Sequence, residues 1–408
     1  MKEKAITIIK HTLLATYVGF LVFNFKIINL ALLALLLFFL VTFKENRAQL
    51  FANWKENRLI YGTLLAMIVF QWIHGVIFDD LSEKRFGFLA ILFASSTVLL
   101  WIKDIRFILY CYLSCLLLLV VIGSYNLLQY YLTTDYFTIN KGGHIDTLLV
   151  VARPYVGFML NIGILISLYL SRRQNKYKLY FILLSLLFLT YLAFIGNRIQ
   201  IVSLILVALL YGIFYMKTNW IKKAIGLFGF SMAIVLLFAL TPTLKERFEL
   251  NSLSTLDNLV SRLEQKEPRV LIWKCAFSFT HEDTFNPIQG LGKVKTLDDK
   301  LAQCYEDNTH GNPMRDYFLE ALFNTHNQFI EYYVLTGVVG GGLLCLLFAF
   351  LLVKVKRFFI PIALTCSLFN FCFVENLFNR QLGVYLFGFV LTLIVLLYKQ
   401  QLEDTAKN

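Results

Sequence analysis

The stretch NTHNQFIEYYVLTGVVGGG, residues 324–342, joins a long polar segment to a run apolar enough to cross a membrane, and the fold is read outward from that junction. Thr325 and Gln328 have the spacing of a capping box, so Thr325 is the expected N-cap and His326 the first helical residue. An imidazole there would sit at the positive end of a helix dipole, where backbone N–H groups face outward and anions are favoured. Glu331 lies further into the same helix, where a charge is costly and needs a partner or a task. His326 reads two ways, as a general base or as an interfacial histidine bonded at the lipid headgroups.

The rest of the chain repeats the apolar theme. Of 408 residues, 58% are hydrophobic and 16% aromatic, well above soluble domains, and the mean hydropathy is +0.66. Apolar runs of about twenty residues recur, each long enough for a ~30 Å hydrocarbon core. The net charge of +12 argues against nucleic acid, because its basic residues cluster in alternate short loops, as in membrane proteins that retain positive charge in the cytoplasm. The starting MKEK and the apolar run behind it are expected to form a retained helix, since no small-residue cleavage site follows.

Window length and charge flanks predict an all-α polytopic membrane protein of about twelve transmembrane helices. Nine spans fall in residues 1–240, a polar lid loop of short helices in 241–324, and three spans with a cytoplasmic tail in 325–408, all one integrated domain. Arg172, Arg173, Lys176 and Lys178 form the clearest cytoplasmic cluster, which puts both termini inside and the lid outside. Within the lid, 244–263 carries apolar residues at helical spacing. Pro268 opens a second such stretch, Gly290 and Gly292 mark a turn after Pro287, residues 298–305 read as a short helix, and 310–313 as a turn. Cys275 and Cys304 can pair in an oxidising compartment or remain free thiols, and the sequence leaves both open.

Topology gathers Arg198, Arg269, His326 and Arg380 at the outer face. Arginines around a histidine suit an anionic substrate, since a guanidinium grips phosphate oxygens as a fork, although a lone arginine there also serves as a headgroup anchor. The pairs Asp79–Asp80 and Asp298–Asp299 could hold a hard cation or simply be solvated. His281, Cys304 and His310 lack zinc-ligand spacing, so no metal site is expected.

RVLIWKCAFSFTHEDTFNPIQGLG (residues 269–292) resembles the R-x-x-x-W … NP-x-x-G-x-G pattern of the O-antigen ligase superfamily, bacterial polytopic membrane glycosyltransferases that include the O-antigen polymerases. HNQFIEYYVLTGVVGG (326–341) resembles its histidine motif, and ENLFNRQLGVYLFGF (375–389) its closing motif. GNRIQIVSLILVALL (196–210) is similar to its arginine at a span start, with Ile199 and Gln200 in place of the usual small pair. The detailed likeness covers about residues 190–390.

The resemblance implies a GT-C-like fold in the bacterial inner membrane, with an active site facing the periplasm and no cofactor. It implies transfer of a glycan from an undecaprenyl-diphosphate carrier to an acceptor sugar of a lipid A core, metal-independent and inverting, or alternatively repeat-unit polymerisation. By position, His326 matches the essential histidine, and Arg198, Arg269 and, less closely, Arg380 the substrate-binding arginines. Asn327 and Glu331 join them as substrate-binding candidates. The implied partners are the lipid-linked donor, a glycolipid or glycan acceptor and membrane lipids, with no nucleic acid. A transporter or flippase is the reading from another class. It would call for ionisable residues at span centres and related halves, and the sequence has few central charges and no evident duplication.

Overall fold

In hydrocarbon an apolar run has only its own backbone to bond with, so each run closes into a helix. The computed structural model describes residues 2–80, 83–134, 144–223, 226, 228–229, 268–309 and 315–407. In chain order the helices are α1 (Lys2–Val22), α2 (Ile28–Val41), α3 (Phe43–Glu56), α4 (Arg58–Ile77), α5 (Glu83–Thr97), α6 (Arg106–Thr134), α7 (His144–Leu148) and α8 (Arg153–Arg173). They continue as α9 (Lys178–Phe194), α10 (Arg198–Leu210), α11 (Pro268–Ser278), α12 (Val294–Asn308), α13 (Arg315–Ala321), α14 (Gln328–Val355), α15 (Phe359–Val374) and α16 (Gln381–Lys407). Among the described residues the chain is all-α, with one isolated bridge between Asn286 and Gly290 and no strand.

Eight helices are long and apolar enough to span: α1, α4, α6, α8, α9, α10, α14 and α16. The pair α2 and α3, bent by 108°, makes up to nine, and Gly87–Thr97 and Phe359–Val374 are shorter apolar helices. The remaining expected span, ending near Leu240, lies outside the described residues, as do the stretch 244–263 and the turn at 310–313. The chain turns sharply at Thr42, between α2 and α3.

The centre of the bundle is α8 and α16, each 89% buried over its most apolar window. Both are apolar on every face, as central helices must be. α9 packs on α8, α5 on α16, α4 on α14 and α6 on α1. Gly157 of α8 lets the start of α10 come close, since a Cβ there would lie 2.0 Å from Asn197 Nδ2. That approach sets the first residues of α8 and α10 side by side.

The described part of the polar segment before α14 folds onto the rim. Leu271, Ile272, Leu297, Leu301, Tyr305 and Phe318 form a small second core, and Ile330 and Val334 from the first turns of α14 complete it. A disulfide joins Cys275 of α11 to Cys304 of α12, with Cα atoms 5.8 Å apart. The turn after Pro287 is fastened into a break in α14. Val338 N–H donates to Pro287 O (2.8 Å), while Leu291 and Gly292 N–H donate to Val334 O (2.9 Å) and Leu335 O (3.0 Å). Gly337 at the break has φ 66°, and a Cβ on it would lie 2.2 Å from Ile288 O, so only glycine fits. From the other side, Asp80 accepts Val294 N–H (2.9 Å) and His74 Nε2 meets Gln289 O (2.8 Å).

Candidate functional site

The helix start at the histidine differs from the capping-box expectation. Asn327, not Thr325, is the N-cap, its Oδ1 accepting from Phe329 N–H (2.9 Å) and Ile330 N–H (3.1 Å). Thr325 is taken elsewhere, donating its hydroxyl to Glu331 Oε2 at 2.8 Å. His326 therefore stands just outside the helix with φ 46°, an uncommon conformation for a residue with a Cβ. Asn324 Oδ1 accepts the His326 N–H (3.1 Å) and steadies it.

Glu331, expected deep, is in the first turn of α14, and its carboxylate is already partnered by Thr325, Asn376 Nδ2 (3.0 Å) and Asn379 Nδ2 (2.8 Å). Asn327 and Glu331 are both buried behind the histidine and neither lines the cavity beside it. Their geometry ties the start of α14 to the connection before α16.

In front of that support lies Glu375, the residue closing α15. Its Oε2 is 3.3 Å from His326 Nδ1 and its Oε1 accepts from Arg269 Nη2 at 3.0 Å. Arg269 also donates Nε–H to Val374 O at 3.3 Å. One turn along α11, Trp273 Nε1–H donates to Thr325 O at 3.0 Å. Residues four apart share a helix face, which explains the R-x-x-x-W spacing: both side chains fasten α11 to the two loops that hold His326 and Glu375. A carboxylate at Nδ1 fixes the proton there and leaves Nε2 as the basic nitrogen. His326 Nε2 has no hydrogen-bond partner among the described residues.

Burial pushes the pKa of Glu375 up, but the His326 hydrogen bond, the His326 charge and the charges of Arg269 and Arg380 outweigh it. The carboxyl is held below its usual range and stays ionised.

Beside this chain opens a cavity of about 430 Å³, walled by Arg153, Arg198, Arg269 and Glu375 at its charged end and by apolar residues such as Val202 and Phe373. The structure thus brings Arg198 and Arg269 to one cavity, with His326 one hydrogen bond away through Glu375. Arg380 is exposed and does not line the cavity, although its charge reaches Glu375. Arg153 and Glu375 were not singled out from sequence. Arg153 starts α8 just ahead of Pro154, a helix-start signal shared with ordinary headgroup anchors. Glu375 stood in the closing motif without a partner to reveal it.

Fold and site define a polytopic helical membrane protein with a cationic, histidine-bearing cavity where its spans meet a folded-back polar segment. Residues 183–345, which hold Arg198, Arg269 and His326, match the family model described as O-antigen ligase, and over those residues the chain carries a domain of the O-antigen ligase superfamily. No curated protein matches the chain. That family is one of ligase- and polymerase-type enzymes acting on lipid-linked glycans, and the match supports this general role for the chain. Arg153 and Glu375 lie outside the matched stretch.

Proposed function

We propose that the chain is an O-antigen ligase-like glycosyltransferase, moving a glycan from undecaprenyl diphosphate to an acceptor sugar such as a lipid A core. The reaction takes place at the periplasmic face of the inner membrane, without a metal and with inversion. The observation that carries the reading is the relay Arg269–Glu375–His326 at the edge of a cavity with three guanidinium groups.

The chemistry follows from the parts. The acceptor hydroxyl gives its proton to His326 Nε2 as its oxygen attacks the anomeric carbon. The bond from that carbon to the diphosphate oxygen breaks, and its electron pair leaves with the diphosphate. Glu375 holds the ring in the Nδ1–H form beforehand and stabilises the imidazolium afterwards, as in carboxylate-oriented histidine bases generally. Three arginines less one carboxylate leave two net positive charges at the cavity wall, matching the two negative charges of a diphosphate esterified at both ends. The engagement of Glu331 and Glu375 by donors supports a single displacement with inversion over a covalent intermediate.

The disulfide supports an oxidising compartment for the folded-back segment. The basic cluster Arg172, Arg173, Lys176 and Lys178 lies at the opposite end of α8 from Arg153, which supports a cytoplasmic location for that end. A polymerase would use the same relay. A deletion strain separates the two, since loss of a ligase leaves long lipid-linked polymer and loss of a polymerase leaves single repeat units. Normal polymer on its acceptor in that strain would reject both.

A further inference from the structure

Gln200 stands two residues after Arg198 in α10, where the chain departs from the small residues its relatives are expected to carry. It lines the cavity and is 1% exposed. Its Oε1 accepts from Asn161 Nδ2 at 2.9 Å, and Asn161 Oδ1 in turn accepts from Ser367 at 3.4 Å. That chain fixes the carboxamide, yet Gln200 Nε2 is buried without a hydrogen-bond partner among the described residues. A second donor at the same cavity, Arg153 Nη1, is likewise buried and unpartnered. Asn197 Nδ2 donates to Arg153 O at 2.8 Å, which ties the start of α8 to the start of α10 and holds the two donors on adjacent helices. Unmade buried hydrogen bonds are costly, so two at one cavity point to a ligand with acceptor oxygens.

We propose that Gln200 Nε2 and Arg153 Nη1 are the ligands of the inner, prenyl-side phosphate of the carrier, so that this pair recognises the phosphate attached directly to the prenyl chain. The inference rests on the glycosyltransferase reading above. Depth accounts for the residue types. Arg153 and Arg198 open their helices at the rim, whereas Gln200, two residues past Arg198, is buried at the cavity wall, where a neutral amide supplies an N–H without burying another charge. Beyond it the wall turns apolar at Val202 and Leu206, as a prenyl tail requires.

The test measures binding of geranylgeranyl monophosphate and geranylgeraniol to the purified full-length protein in detergent. Wild type should prefer the monophosphate by about tenfold or more, the worth of one hydrogen bond to a charged oxygen. Gln200→Met keeps length and removes the donor, and should cut that preference about tenfold by weakening the monophosphate alone. Gln200→Leu provides the same readout if the methionine variant melts early. A variant that keeps the wild-type preference overturns this inference and leaves the parent reading intact. Equal weakening of both ligands shows a merely structural Gln200 and also overturns it. A wild type that binds neither ligand overturns both.

Discussion

At the scale of single residues the account turns on Glu375, which touches both the base and an arginine. Its depressed pKa gives the sign of a pH effect. A carboxyl held below its unfolded range stabilises the fold above that range, and the contribution is lost as pH falls through the depressed value. Docking of α11 through Arg269 should therefore be firm near neutrality and loosen in acid. Amide hydrogen exchange over residues 268–278 checks this, with Glu375→Gln expected to exchange faster at neutral pH and to lose the acid transition. Unchanged exchange in that variant would mean the ion pair does not hold the helix.

The same scale shows what sequence can and cannot reveal. Arg198, Arg269 and His326 were legible because each stands at a boundary where polar chain meets an apolar run. The cap was misread by two residues because Thr325 and Asn327 can both cap. The choice was settled by Glu331, Asn376 and Asn379, the last two some fifty residues away, which claim Thr325 for another network. Arg153 and the Glu375–His326 pairing depend on tertiary contacts between distant helices, and no local spacing encodes them.

At the scale of elements the informative feature is the broken helix α14. The left-handed residue of its glycine-rich run is Gly337, where the turn at 287–292 presses on the backbone. The apolar runs announced where helices lie, whereas this break was invisible because it is made by a segment 45 or more residues earlier. Gly337→Ala should cost about 2 kcal/mol from backbone strain alone, and loosen the turn from the rim. Gly342→Ala is the control, because nothing lies within 4 Å of its Cβ and its backbone is helical. Thermal melts of the two variants in detergent check the contrast, and equal melting would remove the claim that the turn is locked there.

At the scale of the molecule, residues 241–324 are expected to act as a lid built onto the bundle. The second core needs Ile330 and Val334 of α14 to close, and the described part of the segment supplies too few apolar residues alone. Excised and expressed alone, 241–324 should lack a cooperative melt even with its disulfide formed. A compact, cooperatively melting product would favour an independent outer domain. A lid seated there, as proposed, would exclude water from the arginines and strengthen their hold on a diphosphate.

The central claim is that His326 takes the acceptor proton. The direct measurement is glycan transfer by purified protein in proteoliposomes, from a prenyl-diphosphate-linked donor to a glycolipid acceptor, comparing wild type with His326→Ala. The variant should insert, fold and bind donor as wild type does, and transfer at least about 100-fold more slowly. Transfer by a folded His326→Ala protein at near the wild-type rate would contradict the account and leave His326 an interfacial anchor.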